Sequence, residues 1–486
     1  MEFGASEATF LDQALVRHQT TEHVPLLSTA VAHNGEIVFE RYLSSDVSQS
    51  LDADTQFRIA SMTKSFTAVL VSKAIEAKLI DSLDDPIELY VPQLGAIDYL
   101  NDDDPAITIR HLLYHQAGFV SDDPWGDNQL DMTDDAFSEL MQQELHLAST
   151  PGTRFEYSNT GYAILGRLIS NVYGHDFHHV TKRELIEPLG MERTSWQPLD
   201  NNYARPYNVE DEIVVAEPSP LGNGAYDAMA GLWSTPRDIL KWAQFFLDAE
   251  NPHLVNDDYD HILTAASRRA SQHVGTEVGQ LLIKPRPAVD GVEPGGYIAA
   301  PIGYARGLRV WHDHVLGRTV GHSGGLPGYG SHMRWFTQEN FAIASLGNLR
   351  YTATSTPVQE TMNEISRRSI GLTNGYEVPV ARELAGLAQS LVDIVNVWDN
   401  ALAQQIFADN VPLDESYQRR ATQAAKLIEV TGTLEIQSIT ATSRSSATVV
   451  AAGPRAKAAI ELARSPRRTP EIQYYELTLI EPDAAS

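Results

Sequence analysis

Apolar and polar residues alternate on both sides of Asn34-Gly35 in the stretch LLSTAVAHNGEIVFERY. Period-two alternation around Asn-Gly predicts two strands joined by a tight hairpin, because both turn positions tolerate positive φ. From Ser61 the period changes. Phe66, Val69, Leu70, Ala74 and Ile75 recur at helical spacing, which predicts a buried helix of about 18 residues starting near Ser61. IRHLLYHQAGF (109–119) reads as a short helix stopped at Gly118. PGTRFEYSNTGYAILGRLISNVYG starts on a Pro-Gly turn, crosses an irregular stretch and becomes a helix ending at Gly174. STPRDILKWAQFFLDA (234–249) has a Ser/Thr start, an early Pro and Asp238 in its first turn, all marks of a helix N-terminus.

Residues 284–307, rich in Pro and Gly, read as loop with hairpin pieces. ARGLRVWHD and LGRTVGHSGG then alternate as adjacent strands, followed by SHMRWF and FAIASLGN. Strands, then many helices, then strands again predict an α+β fold. One antiparallel sheet takes strands from both ends of the segment, and helices flank it. Composition shifts near 370, and residues 370–379 read as a linker. Beyond it, 380–408 reads as helix, and 432–452 and 471–480 alternate like strands. The expected organisation is a domain over 1–370 and a small α+β domain over 380–486, the latter a candidate for self-association or for shaping a pocket mouth.

Charge and composition narrow the function classes. The 486 residues carry 36 Lys and Arg against 64 Asp and Glu, a formal net charge of −28. Such a surface repels phosphate backbones, so nucleic acid is not an expected partner. No run approaches the ~18 apolar residues of a membrane span. There is no cysteine, which removes disulfides, thiolate nucleophiles and Cys-ligated zinc. The first residues carry acids and lack the basic-then-apolar order of a secretory leader, so the expected location is cytoplasmic.

Three groups of residues carry candidate chemistry. In Ser61-Met62-Thr63-Lys64, positions i and i+3 share a helix face, so the amine sits beside the hydroxyl. A serine hydroxyl needs such a base, and burial lowers a lysine's pKa enough to make it one. The N–H of a serine in the first turn is also among the helix's unsatisfied donors, available to an oxyanion. The spacing alone arises readily by chance, with an N-cap serine and a solvated lysine as the plain reading. Tyr157-Ser158-Asn159 precedes a helix. A phenol near a cation can relay a proton and an amide can hold a carbonyl, although turn polarity would also place these residues there. His322-Ser323-Gly324-Gly325 ends a strand pattern, where glycines let a ligand approach the open edge or simply form a strand exit.

Taken together, S-x-x-K at 61, Y-x-N at 157 and H-S-G at 322 resemble, in order, the motifs of the serine β-lactamase and penicillin-binding-protein family. FRIASMTKSFTAVLVSKAIEAKLIDSLDDPIELYVPQL, ITIRHLLYHQAGF, GLWSTPRDILKWAQFFL and GHSGGLPGYGS extend the resemblance over about residues 10–370. It implies a β-lactamase/transpeptidase-like fold. It also implies Ser61 as an acylated nucleophile, with Lys64 and Tyr157 sharing the acid and base work and either taking the first proton. Asn159 would orient a substrate amide, and His322 and Ser323 would line the substrate strand. The N–H groups of Ser61 and Gly325 would form the oxyanion hole.

Two departures stand out. His322 stands where lactamases usually carry Lys, which removes a permanent cation from the carboxylate-binding strand. No acidic residue falls in register to activate a deacylating water. The expected activity is hydrolysis of a small amide or ester, of esterase or D-amino-acid peptidase type and without a cofactor. A β-lactamase or D,D-carboxypeptidase proper and a non-catalytic binding module are the alternatives. His111 and His115 sit four apart, but no Glu follows His111, so structural roles are expected. His175, His178 and His179 lie past a helix end, and no metal is expected there.

Overall fold

The computed structural model of the chain describes residues 3–95, 97–143, 145–210, 213–216, 220–250, 259–283, 298–313, 317–337, 340–369, 380–443 and 445–480. The chain divides into two compact units, Met1–Leu372 and Thr373–Ser486. The expected linker at 370–379 and most of the expected loop at 284–307 lie outside the described residues.

In chain order the principal elements of the first unit begin with α1 (Ala5–Glu22), β1 (Leu26–His33), β2 (Glu36–Ser44) and α2 (Thr63–Glu76). Next come α3 (Ile109–Leu113), α4 (Asp123–Gly126), α5 (Asn159–Tyr173) and α6 (Pro236–Glu250). The run of strands is β3 (Thr276–Ile283), β4 (Ile298–Tyr304), β5 (Arg309–Asp313), β6 (Gly317–Leu326), β7 (Tyr329–Phe336) and β8 (Phe341–Gly347). Helix α7 (Ser355–Ser369) follows.

The strands form one eight-stranded sheet in the order β2-β1-β8-β7-β6-β5-β4-β3. Every neighbouring pair is antiparallel, so the sheet takes strands from both ends of the unit as the patterning predicts. Asn34 and Gly35 turn the β1–β2 hairpin with φ of 53° and 81°, a conformation open to few residue pairs.

Helix α1 has no counterpart in the patterning. Its buried Leu11, Ala14, Leu15 and His18 form a narrow stripe in an otherwise polar segment. That stripe packs with Val358, Met362 and Ile365 of α7 on one side of the sheet. On the other side α6 packs under β1, β7 and β8, and Trp242 stacks on Phe66 of α2 with ring centroids 3.8 Å apart. Helix α2 is buried almost all round, as a helix in the centre of a core must be.

Two helix boundaries differ from expectation. The α-helix begins at Thr63, not Ser61. Residues Ala60–Met62 form a single tight turn before it, entered through Ala60 at φ 51°. Helix α3 ends at Leu113, before the expected stop at Gly118, because His115 takes φ 54° and turns the chain early.

The second unit contains α8 (Arg382–Asn396), α9 (Asn400–Ile406) and α10 (Tyr417–Thr431). Its strands are β9 (Glu435–Ala441), β10 (Ser446–Ala452), β11 (Lys457–Arg464) and β12 (Ile472–Ile480). They form a four-stranded antiparallel sheet in sequence order, with a core of its own that includes Leu391, Val449 and Ile460. The helix expected over 380–408 is broken before Asn400, where the Asp399 side chain caps a new helix by accepting from Ala401 and Leu402. Helix α10 and strand β11 were not anticipated. KAAIELAR in β11 suits a helix as well as a strand, and α10 shows mostly polar residues.

Strand β6 crosses the turn that carries Ser61 at very short range. A Cβ on Gly324 would stand 2.5 Å from the Ile59 carbonyl oxygen and 2.8 Å from the Ala60 Cβ. Gly324→Ala is expected to lower stability in urea unfolding by about 1–3 kcal/mol, as overpacking does. An unchanged midpoint would contradict this close approach.

Candidate active site

The three groups singled out in the sequence converge on one cavity of about 560 Å³ in the first unit. Ser61, Tyr157, His322, Ser323, Gly324 and Gly325 all line it. Lys64 lies directly beneath, with no exposed surface. Its Nζ is 3.1 Å from Ser61 Oγ, 2.7 Å from Asn159 Oδ1 and 3.1 Å from the Met229 carbonyl. The ring of Tyr157 lies over the same nitrogen, 4.8 Å from its centroid, and Ser61 is among the groups that act on its phenol.

Each group is held by its own element. Ser61 and Lys64 are fixed by the tight turn and the first turn of α2. The segment before α5 is gripped by His115, whose carbonyl accepts from the Glu156 N–H at 2.8 Å. His115 Nδ1 accepts from the Ser158 N–H at 3.0 Å, and its ring packs on Tyr157 with centroids 4.2 Å apart. A ring nitrogen that accepts from an amide is unprotonated, so His115 is neutral with its proton on Nε2. Burial acts in the same direction, pulling its pKa well below 6.5. Ser158 caps α5 by accepting from Gly161.

Asn159 is fully buried and its amide is committed. Oδ1 accepts from Lys64, and Nδ2 donates to Asp123 Oδ1 at 3.0 Å and to Asp127 Oδ1 at 3.3 Å. In this placement the carboxamide joins Lys64 to two carboxylates, and Oδ1 keeps a second lone pair.

Strand β6 carries His322 with 2% exposure. Its Nδ1 faces the Ser323 carbonyl and must carry the proton, while Nε2 lies 3.1 Å from the Tyr304 hydroxyl and accepts from it. Burial, with Arg309 and Lys64 nearby, holds its pKa well below 6.5, so His322 is neutral. Ser323 Oγ pairs with His332 Nδ1 at 2.8 Å. Strand β5 pairs with β6 only as far as Arg309 opposite Gly321, which leaves the β5-side edge of residues 322–326 open beside Ser61.

Burial dominates the electrostatics. It lowers the pKa of Lys64 against the opposing pull of Asp123, Asp127 and Asp122, and Arg309 lowers it further. It drives the Tyr157 phenol well above 10, with Tyr304 and Asp123 adding to the shift. It also raises the carboxyls of Asp123 and Asp127, which Lys64 partly offsets. The ordinary order, in which a phenol loses its proton slightly before an ammonium, is therefore reversed, leaving the amine as the easier group to deprotonate.

Asp122, Asp123, Asp127, Arg309, Arg350 and Tyr351 were not found from the sequence. The acids lie between the helix expected over 109–119 and the Pro-Gly turn at 151, where the sequence pattern predicts no element. Their spacing is the one available signal, since i and i+4 on a helical turn bring Asp123 and Asp127 to one face. Asp122 accepts from the N–H groups of Asn159 and Thr160, at 2.6 and 2.9 Å, and so sits at the N-terminus of α5, where its charge is favoured. Arg309 reaches the cavity from β5 and supplies the permanent cation missing from position 322.

The other histidines have structural partners. His111 Nδ1 accepts from the Thr108 N–H at 3.2 Å, and His178 pairs with the buried Asp227 at 2.8 Å. Among the described residues no group of three or more His, Asp or Glu gathers as metal ligands, and no helix is long and apolar enough to cross a membrane.

Known proteins share this architecture. The family described as Beta-lactamase matches residues 11–362. Protein flp of Staphylococcus aureus (strain N315) is 28% identical over 358 residues, covering 70% of this chain and 62% of that protein. This chain thus spans less than two thirds of that relative's length. Beta-lactamase-like protein 4 of Dictyostelium discoideum is 30% identical over 220 residues, covering 43% of this chain and 38% of that protein. An octameric penicillin-binding protein homologue from Pyrococcus abyssi superposes with a TM-score of 0.58 at 20% identity, covering 97% of this chain and 99% of that one. A D-stereospecific amidohydrolase from Streptomyces sp. gives 0.56 at 19% identity, covering 73% and 98%. The eight-stranded sheet flanked by helices is the β-lactamase/transpeptidase-like fold, and the match over most of the first unit places the chain in the beta-lactamase family.

Proposed function

We propose that the chain is a serine hydrolase that cleaves a small amide or ester through an acyl-enzyme on Ser61. The observation that carries this reading is the environment of the Lys64 amine, which has three acceptors and no solvent. A neutral amine keeps two N–H groups and one lone pair. With the N–H groups on Asn159 Oδ1 and the Met229 carbonyl, the lone pair is left for the Ser61 hydroxyl. Lys64 rather than Tyr157 then takes the first proton, since burial favours the neutral form of both groups and only the neutral amine is a base.

In this mechanism Ser61 Oγ bonds to the carbonyl carbon as its proton passes to Lys64. The oxyanion is received by the N–H groups of Ser61 and Gly325. The protonated Tyr157 phenol donates to the leaving nitrogen or oxygen and recovers its proton from Lys64 as the carbon–leaving-group bond breaks. Water then attacks the ester on Ser61, and its proton returns through the same groups to the Ser61 oxygen. Asn159 acts here as a positioning residue for Lys64.

Arg309 favours a second reading, a β-lactamase or D,D-carboxypeptidase proper, because its fixed positive charge suits a substrate carboxylate that the neutral His322 cannot attract. The octameric state of the Pyrococcus homologue motivates a further proposal, that the second unit mediates self-association.

A fluorophosphonate probe is expected to label wild type on Ser61 and leave folded Ser61→Ala unlabelled in mass spectra. An unlabelled wild type would contradict the nucleophile. The pH dependence follows from the sign of the Lys64 shift. The base form populates as pH rises through a pKa lowered from the ordinary 10.5, so kcat/KM should climb along an acid limb well below that value. A limb at 10.5 or above would contradict Lys64 as base. Arg309→Met is expected to raise KM about tenfold for a carboxylate-bearing D-peptide and leave a neutral p-nitrophenyl ester nearly unchanged. Equal effects on both would remove the carboxylate role.

A further inference from the structure

The cavity around Ser61 is lined by charges of both signs. Arg309 and Arg350 line it together with Asp123 and Asp127. Neither arginine has a carboxylate salt-bridge partner among the described residues. The acidic pair is close to the chemistry, since the Asn159 amide bonds Lys64 through Oδ1 and both carboxylates through Nδ2. Asp127 is only 5% exposed and is braced across the cavity by the Tyr351 hydroxyl, which donates to Oδ2 at 3.1 Å. Asp123 is exposed to the cavity, and among the described residues its Oδ2 has no hydrogen-bond partner.

A carboxylate buried beside a reacting centre needs a cation. Lys64 meets that need only while protonated, and as a base it must be neutral. In the reactive state the buried Asp127 and the more exposed Asp123 therefore lose the charge of Lys64, and Arg309 is the cation that remains near Asp123. We propose that Asp123 and Asp127 form a subsite for an ammonium group carried on the acyl half of the substrate, close to the scissile carbonyl. The preferred substrates are then amides or esters of amino acids with a free amine, a class protonated below about pH 8. This rests on the hydrolase reading above and adds to it the identity of the acyl group.

The subsite also couples binding to activation. The groups facing Lys64 are Asp122, Asp123 and Asp127 from the segment at α4, and Tyr157, Asn159 and Tyr162 at the start of α5. Arg309 on β5, His115 after α3 and His322 on β6 complete the set. Of these the three aspartates are the charged groups that favour the ammonium form of Lys64, beside the Tyr157 and Tyr162 ring faces. A substrate cation resting on Asp123 and Asp127 cancels their pull and adds its own repulsion, so Lys64 releases its proton when an amine-bearing substrate is in place. A substrate with a blocked amine gains neither effect.

The test separates binding from turnover. Ser61→Ala is titrated calorimetrically with D-alanine amide and N-acetyl-D-alanine amide. Binding about tenfold or more tighter for the free amine is expected. That preference should shrink to about twofold or less in Ser61→Ala carrying Asp123→Asn, which changes an exposed residue, or Asp127→Asn. Equal or tighter binding of the acetylated ligand overturns the subsite, and so does a preference that survives both substitutions. In wild type, the acid limb of kcat for D-alanine p-nitroanilide should lie below that of kcat/KM, with no such separation for the N-acetyl compound. Coincident limbs for the free amine overturn the coupling. Fluorophosphonate labelling of wild type keeps the outcomes distinct. A labelled enzyme without amine preference loses only the subsite, and amine preference in an unlabelled protein loses only the hydrolase reading.

Discussion

An amine with no exposed surface sits at the centre of the first unit, and the surrounding structure is arranged to tolerate it. Removing a lysine head group from water costs several kcal/mol unless its protons are received and its charge is answered. Three acceptors receive the protons of Lys64, the Tyr157 and Tyr162 rings face its nitrogen, and three carboxylates lie behind Asn159. The compensation is incomplete, because burial still outweighs the carboxylates and lowers the pKa of the amine from 10.5 to about 8. On the proposed mechanism that residual imbalance is what lets a common side chain serve as a base.

The same demand explains the backbone around the site. Ala60 and His115 both adopt left-handed φ, at 51° and 54°, although neither is glycine. Such residues cost roughly 1–2 kcal/mol each. Ala60 turns Ser61 into the cavity one turn before Lys64. His115 bends the chain so that its carbonyl and ring together hold Glu156, Tyr157 and Ser158. Glycines at 324 and 325 allow β6 to lie against the turn that carries Ser61 and against Tyr351. Strain and close approach are thus concentrated where the hydroxyl, amine and phenol must meet.

What could be read from the sequence follows from how local each relation is. Ser61 and Lys64 are legible because i and i+3 are neighbours on any helical turn, and the α5 helix because Ser158 and Gly174 mark its ends. The sheet built from both ends of the unit followed from the order of strand and helix patterns. Asp123, Asp127 and Arg309 were hidden because only tertiary packing brings them to Ser61. Arg309 becomes meaningful through its register opposite Gly321, and Asp127 through the Asn159 amide. Nor does the sequence reveal that the Asn159 amide joins Lys64 to two carboxylates. Helix α1 was missed because four buried residues in eighteen leave too faint a stripe.

The chain has only 8 lysines, so the titration of the Lys64 amine can be followed by NMR on lysine labelled at Cε and Nζ and assigned with Lys64→Arg. The account predicts that this one resonance titrates well below the ordinary 10.5 in the free protein, apart from the other seven. A Lys64 signal that titrates with the others, or above them, would show an ammonium held by its carboxylates and would contradict the buried amine as the base for Ser61.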